Sequence, residues 1–247
     1  MLCFEEGSVQ QMANCLELLR GGVVVSVQAS QGEPLDRPEI LCALAESALN
    51  GGACAVRMAQ PGNMQFFRRR HPQVPLIGIT KPERIPENAH NLVYITPGFA
   101  DVQSIAGCCD IVALDATLRP RPSGETLAEI VAQTRAAYPN LLLMADVSTP
   151  KEGLNAQTLG FDLIGTTLSG YTAETLSRKD QGPDFELLEG LVAVVDIPVI
   201  MEGRLWEPSE VAKAIALGAF AVVIGSAVTR PHEITRRFVQ AASPHSA

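Results

Sequence analysis

The chain has 247 residues, and a single eight-stranded α/β barrel of about 250 residues would absorb all of it. Apolar residues make up 47% and aromatics only 5%, so Ala, Val, Ile and Leu must fill the core. A net charge of −8 argues against nucleic acid or an anionic membrane as main partner, and would repel a phosphorylated substrate unless basic side chains gather locally.

Residues 1–20 read as a leading helix across the base of such a barrel, with no basic and apolar stretch of a signal peptide. Eight short runs of β-branched and small apolar residues follow, each stopping on a polar or charged residue or on a glycine turn. Val23–Val27 stops at Gln28, Ala55 and Val56 at Arg57, Leu76–Thr80 at Lys81, and Ile111–Leu114 at Asp115. Leu142–Ala145 stops at Asp146, Leu163–Gly165 at Thr166 and Thr167, Val199–Met201 at Glu202, and Ala221–Ile224 at Gly225 and Ser226. Continuous apolar runs separated by helix-length segments suit parallel strands buried on both faces. Eight of them predict one domain, a (β/α)8 barrel over residues 1–247, with its chemistry at the C-terminal strand ends.

Between the runs, residues 38–50, 124–138 and 207–217 show helical spacing and helix start and stop signals. Gly52, Gly107, Gly160 and Gly218 each precede a strand and read as left-handed caps. Leu92–Ile95 is a ninth strand-like run, read as a short extra strand or an extended loop leading into a helix over 99–106. Residues 82–91 and 172–184 are expected as loops on the catalytic face, either of them able to act as a lid, and 239–247 as a frayed tail.

Lys81 leaves an apolar strand into a barrel mouth, where poor solvation disfavours its charged form. Such a lysine serves as a base or a Schiff-base former, or is an ordinary rim lysine. Glu202 ends the seventh run, four strands away and so on the opposite wall, which suits removing a proton from one face of a carbon and returning one to the other. A simple ion pair with Arg204 or Arg57 is the plainer reading. Gly203 and Arg204, with Gly225 and Ser226 before a helix, match the anion site formed by the last two strand-to-helix loops of a barrel. Arg57, Arg119, Arg204 and Arg230 bring positive charge to the mouth, and Asp115 and Asp146 would accept from sugar hydroxyls, orient Lys81 or hold a loop. A Schiff-base lyase, or a barrel that only senses a sugar phosphate, remains open on these residues alone.

The six cysteines form no C-x-x-C pair and read as buried small hydrophobes in a reducing compartment, hence a cytoplasmic protein. No apolar run is long enough to span a membrane. The four histidines form no ligand pattern, so no metal is expected.

Several segments carry a more specific signal. Ser26–Ala29 with Gly32–Leu35, Gly78–Lys81, Tyr94–Pro97, Ala113–Thr117 with Arg119–Pro122, Met144–Thr149, Gly165–Thr172, Glu202–Arg204 and Gly225–Pro231 occur in this order. Together with Val56 and Arg57 they closely resemble the N-acetylmannosamine-6-phosphate 2-epimerases of bacterial sialic acid catabolism. That resemblance implies a cofactor-independent isomerase, an N-acylglucosamine-6-phosphate 2-epimerase on a ribulose-phosphate-binding type of barrel. It implies a sugar phosphate substrate, with Lys81 and Glu202 carrying the proton chemistry. Gln28, Arg57, Asp146 and Arg230 would line the sugar site, with Asp115 and Thr117 at the same wall. Residues 60–71 and 82–91 look less typical of the family and read as variable loops. A homodimer is expected.

Overall fold

A computed structural model describes residues 14–242. Eight parallel strands close into a barrel in the order β1 to β8: Val23–Val27, Ala55–Ala59, Leu76–Ile79, Ile111–Asp115, Leu142–Asp146, Leu163–Gly165, Val199–Glu202 and Ala221–Ile224. Helices α1 (Pro38–Asn50), α2 (Pro61–Arg70), α3 (Phe99–Ile105), α4 (Leu127–Ala137), α5 (Pro150–Leu159), α6 (Phe185–Val192) and α7 (Pro208–Ala216) follow the first seven strands in turn. A short α8 (Ser226–Thr229) and a longer α9 (Pro231–Ala242) follow the last. The (β/α)8 barrel expected from the eight apolar runs is therefore what the chain forms.

The strands are apolar throughout because both faces are buried, and their alternation sorts side chains into two cores. Val24, Ala55, Ile77, Ile111, Leu142, Leu163, Ile200 and Ala221 fill the barrel interior. Val25, Val56, Leu76, Val112, Leu143, Ile164, Met201 and Val222 face the helices. Below, the helical residues 14–19 lie against the barrel floor through buried Cys15 and Leu19, and Gly21 N donates to Phe220 O at 2.7 Å. The rest of the expected leading helix, residues 1–13, lies outside the described residues.

Several expectations need correction. β2 does not stop at Val56 but runs to Ala59, placing Arg57 within the strand. Residues 60–71, read as a variable loop, hold α2, where Pro61 sits in the first turn, Met64 and Phe67 are buried, and Arg68–Arg70 complement the dipole at its end. Residues 239–242 continue α9 rather than fray, and 243–247 lie outside the described residues. Gly52, Gly160 and Gly218 take positive φ, whereas Gly107 does not. Of the two readings of Leu92–Ile95, the loop leading into a helix holds and no strand forms. It passes between the ends of β3 and β4, with Thr96 N donating to Thr80 O at 3.0 Å and Asp115 N to Ile95 O at 3.3 Å.

Candidate active site

Strand alternation also places the polar side chains. Counting by twos from the apolar layer inside the barrel, Val24 leads to Ser26 and Gln28, Ala55 to Arg57, and Ile77 and Ile79 to Lys81. The same count takes Leu142 and Met144 to Asp146, Leu163 and Gly165 to Thr167, and Ile200 to Glu202. A ring of polar groups therefore sits on top of the apolar plug, facing the axis. Above it opens a cavity of about 410 Å³, lined by Gln28, Lys81, Glu202, Gly203, Arg204, Gly225, Ser226 and Arg230 together with Tyr94, Thr167 and Tyr171.

Beneath the cavity floor, Arg57 joins two carboxylates. Its Nη1 and Nη2 donate to Asp146 Oδ1 and Oδ2 at 3.2 and 2.5 Å, and Nη1 reaches Glu202 Oε2 at 2.9 Å. Arg57 is 1% exposed and Asp146 0%. Burial works against the Arg57 charge, but Asp146 and Glu202 outweigh it and hold the guanidinium firmly protonated. Burial pushes the Glu202 carboxyl up from its ordinary value, with Arg57 opposing and Asp146 reinforcing that shift. Among the described residues the hydrogen bonds to the Glu202 carboxylate all fall on Oε2, which leaves Oε1 to face a ligand.

Lys81 leaves β3 on the opposite wall. Its Nζ donates to Gln28 Oε1 at 2.7 Å, and Gln28 Nε2 donates to Ser26 Oγ at 2.7 Å. Gln60, at φ 76, holds the Lys81 carbonyl at 2.7 Å and so fixes the turn that aims the side chain inward. Burial and the nearby Arg57 charge lower the Lys81 pKa to about 8, with Glu202 pulling the other way. A base and an acid thus line one cavity from opposed strands, each shifted toward neutrality.

The remaining candidates divide. Gly203, at φ 118, and Gly225 present half-buried backbone to the cavity rim beside Ser226, while Arg230 pairs loosely with Glu33 at 3.6 Å. Arg204 also lines the cavity, but its Nε and Nη1 donate to the carbonyls of Gly182 and Ser169, tying both ends of the segment 170–182 to the loop after β7. Asp115 and Thr117 do not line it. Asp115 is fully buried and accepts from Thr117 Oγ1 at 2.7 Å and from Arg119, which brace the loop after β4. Asp146 is likewise buried, reaching the cavity only through Arg57 and Thr167. Thr167, in sequence only the polar end of the sixth run, faces the cavity as the same count by twos requires.

The family model described as N-acetylmannosamine-6-phosphate epimerase matches residues 41–244. The chain belongs to that family. It is 46% identical to a relative from Caldanaerobacter subterraneus subsp. tengcongensis named as an N-acetylmannosamine-6-phosphate 2-epimerase, over 91% of this chain and 92% of the relative. A relative of the same name from Enterobacter sp. is 44% identical over 95% of this chain and 98% of its own. The solved N-acetylmannosamine-6-phosphate 2-epimerase from Clostridium perfringens superposes with a TM-score of 0.84 at 41% identity, covering 92% of this chain and 95% of that one. Within this epimerase-family chain, the one group of three metal-ligand side chains among the described residues is Cys42, Glu46 and His71. It lies between α1 and the end of α2, away from the mouth, and Glu46 already pairs with Arg70 and His71. No helix among the described residues is long and apolar enough to cross a membrane.

Proposed function

We propose that this protein interconverts N-acetylmannosamine 6-phosphate and N-acetylglucosamine 6-phosphate, acting as an N-acylglucosamine-6-phosphate 2-epimerase with no cofactor. The observation that carries this reading is the pairing of Lys81 and Glu202 across one cavity, in a chain of the epimerase family. Opening the sugar ring exposes a C1 carbonyl, which makes the C2 proton acidic. Neutral Lys81 removes that proton, and charge moves onto the C1 oxygen. Gln28 is the neutral donor beside Lys81, with one Nε2 hydrogen free of Ser26, and meets that oxygen in a site where a fixed donor acts strongly. Glu202, protonated on Oε1, returns a proton to the other face, and the roles exchange in the reverse direction.

Arg57 does not contact substrate in this scheme, because it lies 1% exposed beneath the cavity lining with its guanidinium turned to Asp146 and Glu202. Its task is to keep Glu202 in place and the Lys81 ammonium acidic. The substrate phosphate sits at Gly203, Gly225 and Ser226 with Arg230 beside them, holding C2 between base and acid and so contributing orientation. We further infer a cytoplasmic homodimer. A phosphorylated sugar is retained inside cells, and α9 buries none of its residues and leaves Phe238 74% exposed.

NMR of N-acetylmannosamine 6-phosphate with the purified protein in heavy water tests the reaction. The product expected is N-acetylglucosamine 6-phosphate carrying deuterium at C2. No product and no loss of the C2 proton signal would refute it.

A further inference from the structure

Two consecutive threonines follow β6, and both are spent on Glu202. Thr166 Oγ1 accepts from Glu202 N at 2.9 Å and donates to Glu202 O at 2.8 Å, with the Met201 sulfur a weaker acceptor at 3.4 Å. Its strong donor and acceptor are both matched and fix the glutamate backbone. Thr167, one residue on and facing the axis, addresses the side chain. Its Oγ1 lies 3.0 Å from Glu202 Oε2 and 2.8 Å from Asp146 Oδ1. The neighbouring residue keeps this space open. A Cβ on Gly165 would stand 2.9 Å from Thr167 Oγ1 and 3.2 Å from Asp146 Oδ1.

The hydrogens do not balance here as they do at Thr166. A hydroxyl carries one proton, and Thr167 has two carboxylate oxygens in reach, so it donates to one at a time. Asp146 keeps both Nη groups of Arg57 in either case. Glu202 changes charge during the reaction proposed above, on which this inference rests. When Glu202 is a carboxylate, the hydroxyl proton is best placed on Oε2. When Glu202 carries its proton on Oε1, the hydroxyl proton is best placed on Asp146.

The geometry points to Thr167 as a positioning residue whose hydroxyl turns between Asp146 and Glu202 to follow the charge on Glu202. No proton leaves Thr167; only its acceptor changes, by rotation about one bond. The rotor supplies a hydrogen bond to the glutamate when negative charge arrives and withdraws it when the charge is gone. Each proton transfer at C2 is therefore met by a local dipole without rearrangement of Arg57. The groups facing Glu202 are Arg57 from β2, Lys81 after β3, Asp146 from β5 and Thr167 after β6, and Thr167 is the one whose donor is free to move. Its hydrogen bond holds the glutamate proton affinity down, so its removal raises that affinity.

The test compares pH profiles of kcat and kcat/KM for wild type, Thr167→Val and Thr167→Ser. For Thr167→Val we expect kcat to fall by about 10- to 100-fold, KM to change by less than about threefold, and the acid limb to move up by about one pH unit. Thr167→Ser, which keeps the hydroxyl, should restore the limb to its wild-type position. An acid limb that stays in place in Thr167→Val overturns the inference, whether or not the rate falls, because packing alone would lower the rate without moving the limb. Should the valine variant fail to fold, Thr167→Ala gives the same comparison. A wild-type protein with no turnover and no C2 exchange would instead sink the epimerase reading, so the two failures are distinguishable.

Discussion

Replacing Arg57 by Met removes a cation shared by the buried Asp146 and the mostly buried Glu202 while leaving a shorter apolar stem in its place. The guanidinium makes contacts of 3.2 and 2.5 Å to Asp146 and 2.9 Å to Glu202, with Arg57 1% and Asp146 0% exposed. Taking away one partner of a buried pair leaves an uncompensated charge and costs about 3–5 kcal/mol, and here two carboxylates are stranded together. The variant should therefore lose at least about 3 kcal/mol at neutral pH, read from urea unfolding monitored by circular dichroism. The loss should also depend on pH. Arg57 opposes the burial that already pushes Glu202 above 4.5, so without it the folded carboxyl is pushed further up. The folded state then holds a proton that the unfolded chain has released, which costs stability at neutral pH. The cost shrinks as pH falls from neutral toward the ordinary carboxylate range. A loss under about 1 kcal/mol, or one equal at neutral pH and at about pH 5, would refute the claim that Arg57 neutralises this pair.

Lys81 and Glu202 set the limbs of the activity profile. The states with neutral lysine and protonated glutamate, or ammonium and carboxylate, hold the same number of protons, so both reaction directions share one bell. The alkaline limb should fall near pH 8, the Lys81 value, and the acid limb above 4.5; a rate still rising above pH 9.5, about 1.5 units past that value, would exclude Lys81 as the group. A pKa near 8 rather than 10.5 leaves about a tenth of Lys81 neutral at pH 7, against about three molecules in ten thousand. Arg204→Met should loosen residues 170–182, with faster amide hydrogen exchange there, and raise KM about tenfold with kcat little changed. Unchanged exchange in that loop would show that the guanidinium does not hold it.

The sequence carries most of this arrangement, and its gaps have physical causes. Runs buried on both faces mark strands without reference to any partner, so β1 to β8 are visible, and alternation aims Gln28, Lys81 and Glu202 inward. Arg57 is harder to place because a charge looks like a strand end, and only the distant Asp146 and Glu202 explain how β2 carries it deeper. Asp115, Thr117 and Arg204 are the right residue types at the right strand ends, but Arg119 and the carbonyls of Ser169 and Gly182 occupy them. Arg119 lies within four residues of Asp115 and Thr117, so that brace is local, whereas the carbonyls that hold Arg204 are 22 and 35 residues away and nothing local reveals them. The α2 helix hides behind Pro61-Gly62 and three arginines, a composition that suits a loop until Met64 and Phe67 are seen to be buried. Thr167 is visible as a strand end but carries no weight there, because a threonine after a strand is ordinary and its value comes from two carboxylates on other strands.

Solvent exchange in single-residue variants tests most directly whether Lys81 and Glu202 address one carbon from opposite faces. Each variant is incubated in heavy water with each epimer separately, and the C2 proton is followed by NMR. Glu202→Gln should exchange the C2 proton of one epimer without converting it, through Lys81 alone. Lys81→Gln should do so for the other epimer, through Glu202 alone. Variants that both exchange the same epimer, or an inversion that survives the loss of either side chain, would contradict the opposed-face arrangement.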